Sequence, residues 1–394
     1  MIDFNFDRSC TGCGACGDIC PKHCIKFVHD KYGFIIPKVD KTLCINCNRC
    51  NRVCPVLNKS DLQLKRHVFC SYNLSPQERH HGSSGSIMLL LAKKVINSGG
   101  KVFGASFDEN LVLRHQCAFS YEGLLKQSKS KYIQSDTRGV FQQVQKELKA
   151  GCFVMFVGTP CQCTALSNYV SERLKKSLLI VDFVCHGVPS QQIFNQAIHE
   201  FEKRKGCKVT DFSFREKSKS TLRNYKITYT IGDCQFEEIG KKESFPYYYA
   251  FLHHFSFRNS CYECRFANIN RVSDITLGDM WGIEHTADMI DFELGYSLIY
   301  TNTEQGLKWY DSIRAECNSE EYSLNDKRTF NYAYSLPTHK NLWTLIFRFC
   351  YGNLSYSFAE KLLCRSYGEV TVLHKLLLLL IGKLNKYYLM INKK

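Results

Sequence analysis

Apolar residues in the middle of the chain fall into short, nearly continuous runs, a pattern typical of strands buried on both faces of a sheet. Two such runs are residues 152–157 (CFVMFV) and 178–184 (LLIVDFV), and residues 164–175 between them follow a helical pattern. A strand–helix–strand unit predicts two parallel strands that lie close together in one sheet. Upstream, residues 87–96 predict a helix and residues 101–106 a strand.

Eight cysteines near the N-terminus form two copies of one spacing. Each copy reads C-x2-C-x2-C-x3-C-P, the first beginning at Cys10 and the second at Cys44. This spacing is typical of two-cluster bacterial ferredoxins, in which the fourth cysteine of each run binds the other 4Fe-4S cluster. The predicted ligand sets are Cys10, Cys13, Cys16 and Cys54 for one cluster, and Cys44, Cys47, Cys50 and Cys20 for the other.

Zinc and disulfides are the alternatives for these cysteines. Zinc sites favour paired C-x2-C units with longer gaps, and disulfides need an oxidising compartment, for which nothing in the sequence argues. Gly12, Gly14 and Gly17 also match the dinucleotide pattern G-x-G-x-x-G. We reject that match because cluster cysteines interrupt it and it lacks the strand and long helix that a dinucleotide site needs.

Four more cysteines supply the four thiols that a third 4Fe-4S cluster requires. Cys161 and Cys185 each follow one of the two apolar runs, at the strand ends where open α/β sheets place their sites, and Cys261 and Cys264 form a C-x2-C pair. A redox-active C-x2-C pair, a zinc site and a Cys185 nucleophile are the alternatives. The other cysteines are expected to pack as plain thiols: Cys24, Cys70, Cys117, Cys152, Cys163, Cys207, Cys234, Cys317, Cys350 and Cys364.

A Gly/Ser loop at residues 82–86 precedes the predicted helix at 87–96. Such a loop at a helix N-terminus offers N–H groups and hydroxyls to a phosphate, and an ordinary serine cap is an equally good explanation.

Composition narrows the class of protein. The 394 residues carry a net charge of +15 and include 22 cysteines, and the first residues do not follow the pattern of a secretory signal. These features predict a reducing cytoplasm. The basic residues are spread along the chain without a nucleic-acid motif, so we expect acidic redox partners or phosphorylated ligands and no nucleic acid.

The C-terminal segment around residues 376–381 predicts an amphipathic helix. It is far shorter than the roughly 20 apolar residues that span a bilayer. We expect it to dock on the body of the protein. The alternative is contact with a membrane surface, peripheral to its inner face.

In combination, these motifs resemble the coenzyme F420 hydrogenase/dehydrogenase beta-subunit family, in the version with an N-terminal 4Fe-4S dicluster ferredoxin domain. The resemblance rests on the double cysteine run and on five further segments: residues 82–86, 131–135 (KYIQS), 158–162 (GTPCQ), 185–190 (CHGVPS) and 260–264 (SCYEC). Residues 274–282 (DITLGDMWG) complete it. The chain looks most like bacterial members found near polysaccharide-synthesis genes.

The resemblance implies an FAD and supports the third cysteine set as cluster ligands. It makes the loop and its neighbours candidates for the flavin site: Ser83, Ser84, Gly85, Ser86, Lys131, Ser135, Gly158 and Thr159. Ser86 stands where this loop usually carries glycine. His186, Asp279 and Trp281 are candidates for shaping the flavin or substrate pocket, and a structural role is the alternative for Asp279 and Trp281.

The expected fold is a multidomain α+β and α/β protein with three parts. Residues 1–60 form a bacterial-ferredoxin-like dicluster module, residues 68–335 an α/β flavin and iron–sulfur domain, and residues 336–394 a helical extension. The expected function is an oxidoreductase that passes electrons from a ferredoxin-like donor through 4Fe-4S clusters to FAD. The final acceptor is an organic molecule such as F420 or a sugar-pathway intermediate. The alternatives are an electron-relay subunit of a larger complex, without a substrate site, and a zinc-stabilised binding protein.

Overall fold

The computed structural model describes residues 9–58, 66–218, 221–281, 294–329 and 331–363. The described strands form three sheets, of two, three and eight strands. The protein is therefore a mixed α/β structure, as the sequence predicts. The expected C-terminal helix at 376–381, residues 59–65 of the linker, Gly282 and Cys364 lie outside the described residues.

The N-terminal module combines two short helices with one antiparallel hairpin. Its elements are helix α1 (Ala15–Asp18), strands β1 (Ile25–His29) and β2 (Ile35–Val39), and helix α2 (Arg49–Val53). Ile25 pairs with Val39 and His29 with Ile35. Each helix begins at the residue before the third cysteine of its run, so the repeat in the sequence is also a repeat in the structure.

The large sheet has the strand order β13-β3-β12-β11-β7-β6-β4-β5. The bounds are β3 His67–Asn73, β4 Lys101–Phe107, β5 Leu113–Ala118, β6 Val154–Gly158, β7 Leu178–Phe183, β11 Ile275–Asp279, β12 Ser297–Thr301 and β13 Cys317–Tyr322. Strands β4, β6, β7 and β11 are parallel to one another, and the flanking pairs are antiparallel. The carboxyl ends of β6, β7 and β11 therefore meet at one edge of the sheet.

The predicted strand–helix–strand unit is confirmed at the centre of this sheet. Val154 pairs with Leu178 and Gly158 with Asp182 in parallel register. The connection differs from the single helix expected over residues 164–175. It begins earlier, at Pro160, and breaks at Val170, whose backbone is extended. Proline fits the first turn of a helix, where its missing N–H leaves no bond unmade.

The remaining described helices pack against the sheets or against one another. They are α3 Pro76–His81, α4 Ile87–Asn97, α5 Tyr121–Gln127, α6 Val140–Lys149, α7 Pro160–Tyr169, α8 Glu172–Lys175, α9 Gln191–Lys205, α10 Pro246–Leu252, α11 Glu304–Asp311, α12 Tyr332–Ser335, α13 Leu342–Asn353 and α14 Tyr356–Leu363. None of the helices in the described ranges combines the length and apolar character that a bilayer crossing needs.

A separate three-stranded antiparallel sheet packs beside the large one. Its strands are β8 Lys208–Ser218, β9 Thr221–Ile231 and β10 Cys234–Lys241, with β9 in the middle. Register shifts interrupt the pairing of β8 with β9 after Ser213. Phe212 and Phe214 of β8 join an aromatic core with Phe194 and Tyr247. This sheet brings the far end of β8 toward the carboxyl edge of the large sheet.

Candidate functional site

The eight N-terminal cysteines line two cavities. The first cysteine cavity is lined by Cys10, Cys13, Cys16 and Cys54, and the second by Cys20, Cys44, Cys47 and Cys50. Each cavity thus takes three cysteines from one run and one from the other, which matches the grouping expected from the spacing.

Left-handed residues turn the backbone around each cavity. Gly12 and Gly14 have φ of 68° and 76°, and Asn46 and Asn48, at the equivalent positions of the second run, have φ of 53° and 56°. Glycine and asparagine are the residues that most readily adopt this conformation. At Gly12 a side chain is also excluded by space, because a Cβ atom would overlap the Arg258 guanidinium.

Asp18, inside the first cysteine run, binds the body of the protein. Its carboxylate accepts from the backbone N–H groups of Gly139 at 2.8 Å and Phe141 at 3.2 Å. These groups start helix α6, whose own N-cap residue is Gly139 and has no side chain to donate or accept. Burial raises the pKa of Asp18, although these backbone bonds favour the carboxylate.

Arg258 is a second link between module and body. It is 4% exposed and donates to Cys10 O at 3.1 Å, Ile35 O at 2.7 Å and Gln134 Oε1 at 2.9 Å. Gln134 in turn donates to Thr11 O at 2.8 Å. The loop that carries the first cysteines is therefore held against the large domain by buried polar contacts.

The third cysteine cavity lies at the carboxyl edge of the large sheet. It is lined by all four of the dispersed cysteines, Cys161, Cys185, Cys261 and Cys264. Thr159 lies between strand β6 and helix α7, and its Oγ1 is 3.2 Å from Cys161 Sγ. Gln162 Oε1 accepts from the Thr159 backbone N–H at 3.0 Å and fixes the start of helix α7.

Burial raises the pKa of each cysteine in this cavity, and neighbouring thiols raise it further for Cys161, Cys185 and Cys261. The pKa of Cys161 rises to about 11 and that of Cys261 to about 12, in both cases mainly through burial and with Cys264 adding to it. The pKa of Cys185 is also raised, by burial and then by Cys261. Four thiols gathered where ionisation is disfavoured suit a group of metal ions, because bound metal compensates the thiolate charge.

The first and third cavities are neighbours. Thr11 lines both of them, and Cys13 interacts electrostatically with Cys161. The first and second cavities are neighbours too, since Cys16 interacts with Cys50 in the same way. Within the described ranges, no group of three or more His, Cys, Asp or Glu side chains is arranged to hold a single metal ion.

A polar pocket lies at the end of strand β11. Its lining includes the predicted residues Ser83, Ser84, Asp279 and Trp281 and, in addition, Arg215, Lys217 and Tyr296. The two Arg215 Nη atoms donate to the two Asp279 carboxylate oxygens, each at 2.9 Å. Ser84 Oγ also donates to Asp279.

Opposed charges set the ionisation of this pocket. Burial would raise the pKa of Asp279, but the Arg215 guanidinium outweighs it and holds that pKa below its usual range. Burial, together with Arg79 and Arg215, lowers the pKa of Lys217 to about 7. Lys217 Nζ donates to the carbonyl oxygens of Arg79 and, at 2.7 Å, Ser84. The pocket therefore holds a cation that changes charge near neutral pH.

His186 connects the two sites. It lines the third cysteine cavity and interacts electrostatically with Asp279 and Arg215 of the polar pocket. Burial lowers its pKa, so the neutral ring is favoured near neutral pH.

The residues that were expected to bind a flavin lie in several parts of the structure. Ser135 and Thr159 line the third cysteine cavity, where Ser135 Oγ lies 2.9 Å from His115 Nδ1. Gly158 ends β6 beside Gln162. Lys131 is not among the residues that line either site. Its Nζ donates to Ser128 O at 2.6 Å, and burial lowers its pKa to about 7.

The second half of the Gly/Ser loop has a packing role. Gly85 donates its N–H to Ser297 Oγ at 3.0 Å, and a Cβ there would overlap Ser71 O. Ser86 occupies the N-cap position of helix α4 with φ of 66°, and its hydroxyl donates to Glu78 O at 3.0 Å. The alternative of an ordinary serine cap is therefore wrong, because the Ser86 side chain makes no bond to the helix.

Sequence reasoning missed Arg215, Lys217 and Arg258. Arg215 and Lys217 alternate along β8 directly after the buried Phe212 and Phe214, and that switch from aromatic to basic residues was the available signal. Arg258 precedes the C-x2-C pair by three residues and had no distinguishing pattern.

Two regions of the chain match models of known protein families. Residues 153–327 match the family model for the C terminus of the coenzyme F420 hydrogenase/dehydrogenase beta subunit, and residues 9–58 match a 4Fe-4S dicluster domain. No curated protein matches the chain.

Among solved structures, a chain of the F420-reducing [NiFe] hydrogenase complex from Methanosarcina barkeri is similar, with 14% identity and a TM-score of 0.44 over 67% of this chain and 85% of that one. The double cysteine run and the sheet-edge cysteines fall inside the two regions that the family models match. Residues 153–327 therefore belong to the coenzyme F420 hydrogenase/dehydrogenase beta-subunit family, and a 4Fe-4S dicluster domain precedes them at residues 9–58.

Proposed function

We propose that this protein is an iron–sulfur flavoprotein oxidoreductase. The observation that carries the proposal is the unbroken series of neighbouring sites: second cavity, first cavity, third cavity and polar pocket. When bound, iron–sulfur clusters move single electrons, and a flavin converts them into two-electron chemistry. An enzyme that takes electrons from a ferredoxin-like donor and gives them to an organic acceptor needs both kinds of site in contact.

The cysteines of the three cavities would hold the clusters. Cys10, Cys13, Cys16 and Cys54 would serve the first, Cys20, Cys44, Cys47 and Cys50 the second, and Cys161, Cys185, Cys261 and Cys264 the third. The N-terminal module would face the donor protein or a partner subunit, and the basic surplus of the chain favours an acidic donor.

The polar pocket would hold the flavin and its substrate. The cationic Lys217 and Arg215 suit anionic phosphate groups, and Trp281 and Tyr296 offer aromatic faces. Ser83 and Ser84 add hydroxyl groups at the same place. His186, between this pocket and the third cavity, would hold or release a proton near the flavin while remaining neutral at rest.

Metal and flavin content of anaerobically purified protein tests the proposal. We expect about 12 irons from three four-iron clusters and one flavin per chain. About eight irons without flavin would instead indicate an electron-relay subunit, and zinc in place of iron would exclude both. Reduction of coenzyme F420 and of activated sugars by the reduced enzyme then searches for the acceptor.

Two variants separate the sites. Cys261→Ala should remove about four irons and leave the N-terminal iron intact. Its matched control is Cys317→Ala, a buried thiol whose Sγ lies 3.4 Å from Ile313 O, away from the three cavities. Asp279→Asn should reduce flavin content without loss of iron, whereas Asp108→Asn, which removes a carboxylate paired with Arg114 near the surface, should change neither.

A further inference from the structure

Thr159 contacts a sulfur atom of the third cysteine cavity. It is the N-cap residue of helix α7, and its Oγ1 lies 3.2 Å from Cys161 Sγ. The resemblance made Thr159 a candidate for the flavin site, and in the structure it lines the third cavity. Its hydroxyl has one proton and a second neighbour, Gln162 Oε1, at 2.9 Å. The role of Thr159 depends on which neighbour receives that proton.

A buried chain of hydrogen bonds fixes the orientation of the Gln162 side chain. His115 Nε2 lies 2.9 Å from Val157 O, and because a carbonyl oxygen only accepts, this nitrogen carries the ring proton. Burial lowers the pKa of His115 to about 4, so the ring is neutral and its Nδ1 accepts from Ser135 Oγ at 2.9 Å. The Ser135 oxygen then accepts from Gln162 Nε2 at 3.1 Å. Gln162 therefore presents its carbonyl oxygen to Thr159.

The Thr159 backbone already supplies a donor to that oxygen. Thr159 N–H donates to Gln162 Oε1 at 3.0 Å, so the oxygen keeps a partner when the hydroxyl turns away. A Cys161 thiol can donate its own proton to Thr159 Oγ1, whereas a thiolate has no proton and accepts. A hydrogen bond to a charged acceptor is roughly twice as strong as one between neutral groups. With Cys161 as a thiolate, the hydroxyl proton is therefore directed at the sulfur.

We propose that the Thr159 hydroxyl donates a hydrogen bond to Cys161 Sγ when that sulfur binds the third cluster, and thereby raises the reduction potential of the cluster. The inference rests on the proposed function, in which this cavity holds a 4Fe-4S cluster. Reduction adds negative charge, which hydrogen bonds to the ligand sulfurs stabilise. Thr159 acts through Cys161 and is a positioning residue. The hydroxyl keeps its proton, so the step needs no reactant beyond the electron donor already proposed.

The surroundings of the other three sulfurs make Thr159 the informative position. Burial raises the pKa of Cys161 to about 11, and the Thr159 hydroxyl opposes that rise. Burial also raises the pKa of the other three thiols, and backbone hydrogen bonds oppose it. These bonds come from Gly187 to Cys185, from Val188 to Cys261 and from Phe266 to Cys264. A substitution leaves a backbone group in place, whereas a substitution of Thr159 removes the hydroxyl.

Reductive titration of the full, anaerobically purified protein, followed by electron paramagnetic resonance, measures the potential of each cluster. The signal that is missing from Cys261→Ala identifies the third cluster. Thr159→Val keeps the shape of the side chain without its hydroxyl. We expect its third cluster to be about tenfold harder to reduce, which is a shift of about 59 mV to lower potential for one electron. Thr159→Ser restores the hydroxyl and should have the wild-type potential.

Gln162→Met separates this role from the capping of helix α7. Thr159→Val also removes the N-cap side chain, which lowers helix stability. Gln162→Met disturbs the same cap, because it removes the acceptor of the Thr159 N–H, but it keeps the hydroxyl beside Cys161. Its third-cluster potential should stay at or above that of the wild type. The potentials of the two N-terminal clusters should not change in any of these variants and serve as internal references.

The outcomes distinguish this inference from the proposed function. A wild-type protein without the third-cluster signal overturns the proposed function itself. If the signal is present, a Thr159→Val reduction equilibrium within about twofold of the wild type overturns this inference alone. An equal drop of the potential in Thr159→Ser or in Gln162→Met also overturns it. Thr159→Ala should show the same drop as Thr159→Val and replaces it if that variant does not fold; loss of the third cluster from both, with Thr159→Ser intact, assigns the hydroxyl to assembly and overturns the inference.

Discussion

Replacement of Arg258 by methionine tests how the N-terminal module is held on the body of the protein. The Arg258 guanidinium is buried and donates three hydrogen bonds, to Cys10 O, Ile35 O and Gln134 Oε1. A hydrogen bond from a charged donor contributes about 1.5 to 3 kcal/mol. Ser260 Oγ also donates to Cys10 O at 3.1 Å, so that acceptor keeps a partner in the variant.

Gln134 belongs to the body, so the one interface bond lost without replacement is that to Ile35 O. At about 1.5 kcal/mol its loss weakens the docked state by about the 1.4 kcal/mol that corresponds to a factor of ten. We expect Arg258→Met to populate the undocked module about 10-fold more than the wild type does.

Hydrogen exchange of two amides measures this opening directly. The N–H groups of Gly139 and Phe141 bond to Asp18 across the same interface, so they exchange when the module leaves. Their exchange in Arg258→Met should be about 10-fold faster. The amide of Met155, in the central strand of the large sheet, should keep its wild-type protection and serves as the internal reference.

Arg114→Met is the matched control. It removes the same charge from a half-exposed arginine that pairs with Asp108 at 3.3 Å and Asp136 at 3.1 Å. Surface pairs of this kind contribute about 1 kcal/mol or less. The reasoning is refuted if Arg258→Met leaves the exchange of the two interface amides within about threefold of the wild type, or if Arg114→Met accelerates them equally.

Three more predictions concern the remaining buried contacts. Gly12→Ala should lower the melting temperature more than Gly99→Ala. Both glycines have positive φ, but only at Gly12 does a Cβ overlap a guanidinium, which adds about 1–3 kcal/mol of strain. Equal shifts of the melting temperature in the two variants would contradict this. Lys217 has a pKa lowered to about 7, so it loses its charge as pH rises. On the proposal that the polar pocket binds FAD, the affinity of the apoprotein for FAD should fall about tenfold from pH 6 to 8. Fluorescence titration at each pH measures this affinity. If the affinity of Lys217→Gln falls with pH as much as that of the wild type, this lysine is excluded as the cause. Arg271→Met leaves the buried Asp182 carboxyl without its 3.3 Å partner and should destabilise the fold by about 3–5 kcal/mol. Burial raises the pKa of the Asp182 carboxyl, so it is neutral at low pH and charged at high pH. The loss of stability in Arg271→Met should therefore be larger at pH 8 than at pH 5. Thermal melts in which the variant differs from the wild type by the same amount at both pH values would contradict this direction.

Features that depend on local spacing could be predicted from the sequence. The repeated cysteine run suggested which cysteines share a cavity, because the fourth cysteine of a run cannot reach the cluster that its three neighbours surround. The apolar runs around Val154 and Leu178 predicted parallel neighbours, because strands buried on both faces are continuously apolar. Cys161 and Cys185 follow these two strands, and because parallel strands end at the same edge of a sheet, both cysteines lie at that edge.

Features that depend on long-range pairing could not be predicted. Arg215 and Lys217 reach the polar pocket because a separate sheet, with irregular β8–β9 pairing, packs beside the large one, and no spacing in the sequence encodes that arrangement. Lys131 does not line the polar pocket, and its ammonium donates to backbone carbonyls of its own loop, so its place at a flavin site stays a prediction. A short motif identifies which residues are together in the sequence, and the direction of each side chain depends on packing around it.

The contact of Asp18 with helix α6 makes the completion of one helix in the body depend on the cysteine loop of the module. Asp18 lies between Cys16 and Cys20, so whatever orders that loop also positions the carboxylate that receives the N–H groups of Gly139 and Phe141. A chain whose loop is unordered would leave the first turn of α6 without this cap, which contributes about 1 kcal/mol in other helices. Ordering of the cysteine loop and completion of a helix in the body are thereby coupled, so a disturbance in residues 10–20 is expected to fray the first turn of α6.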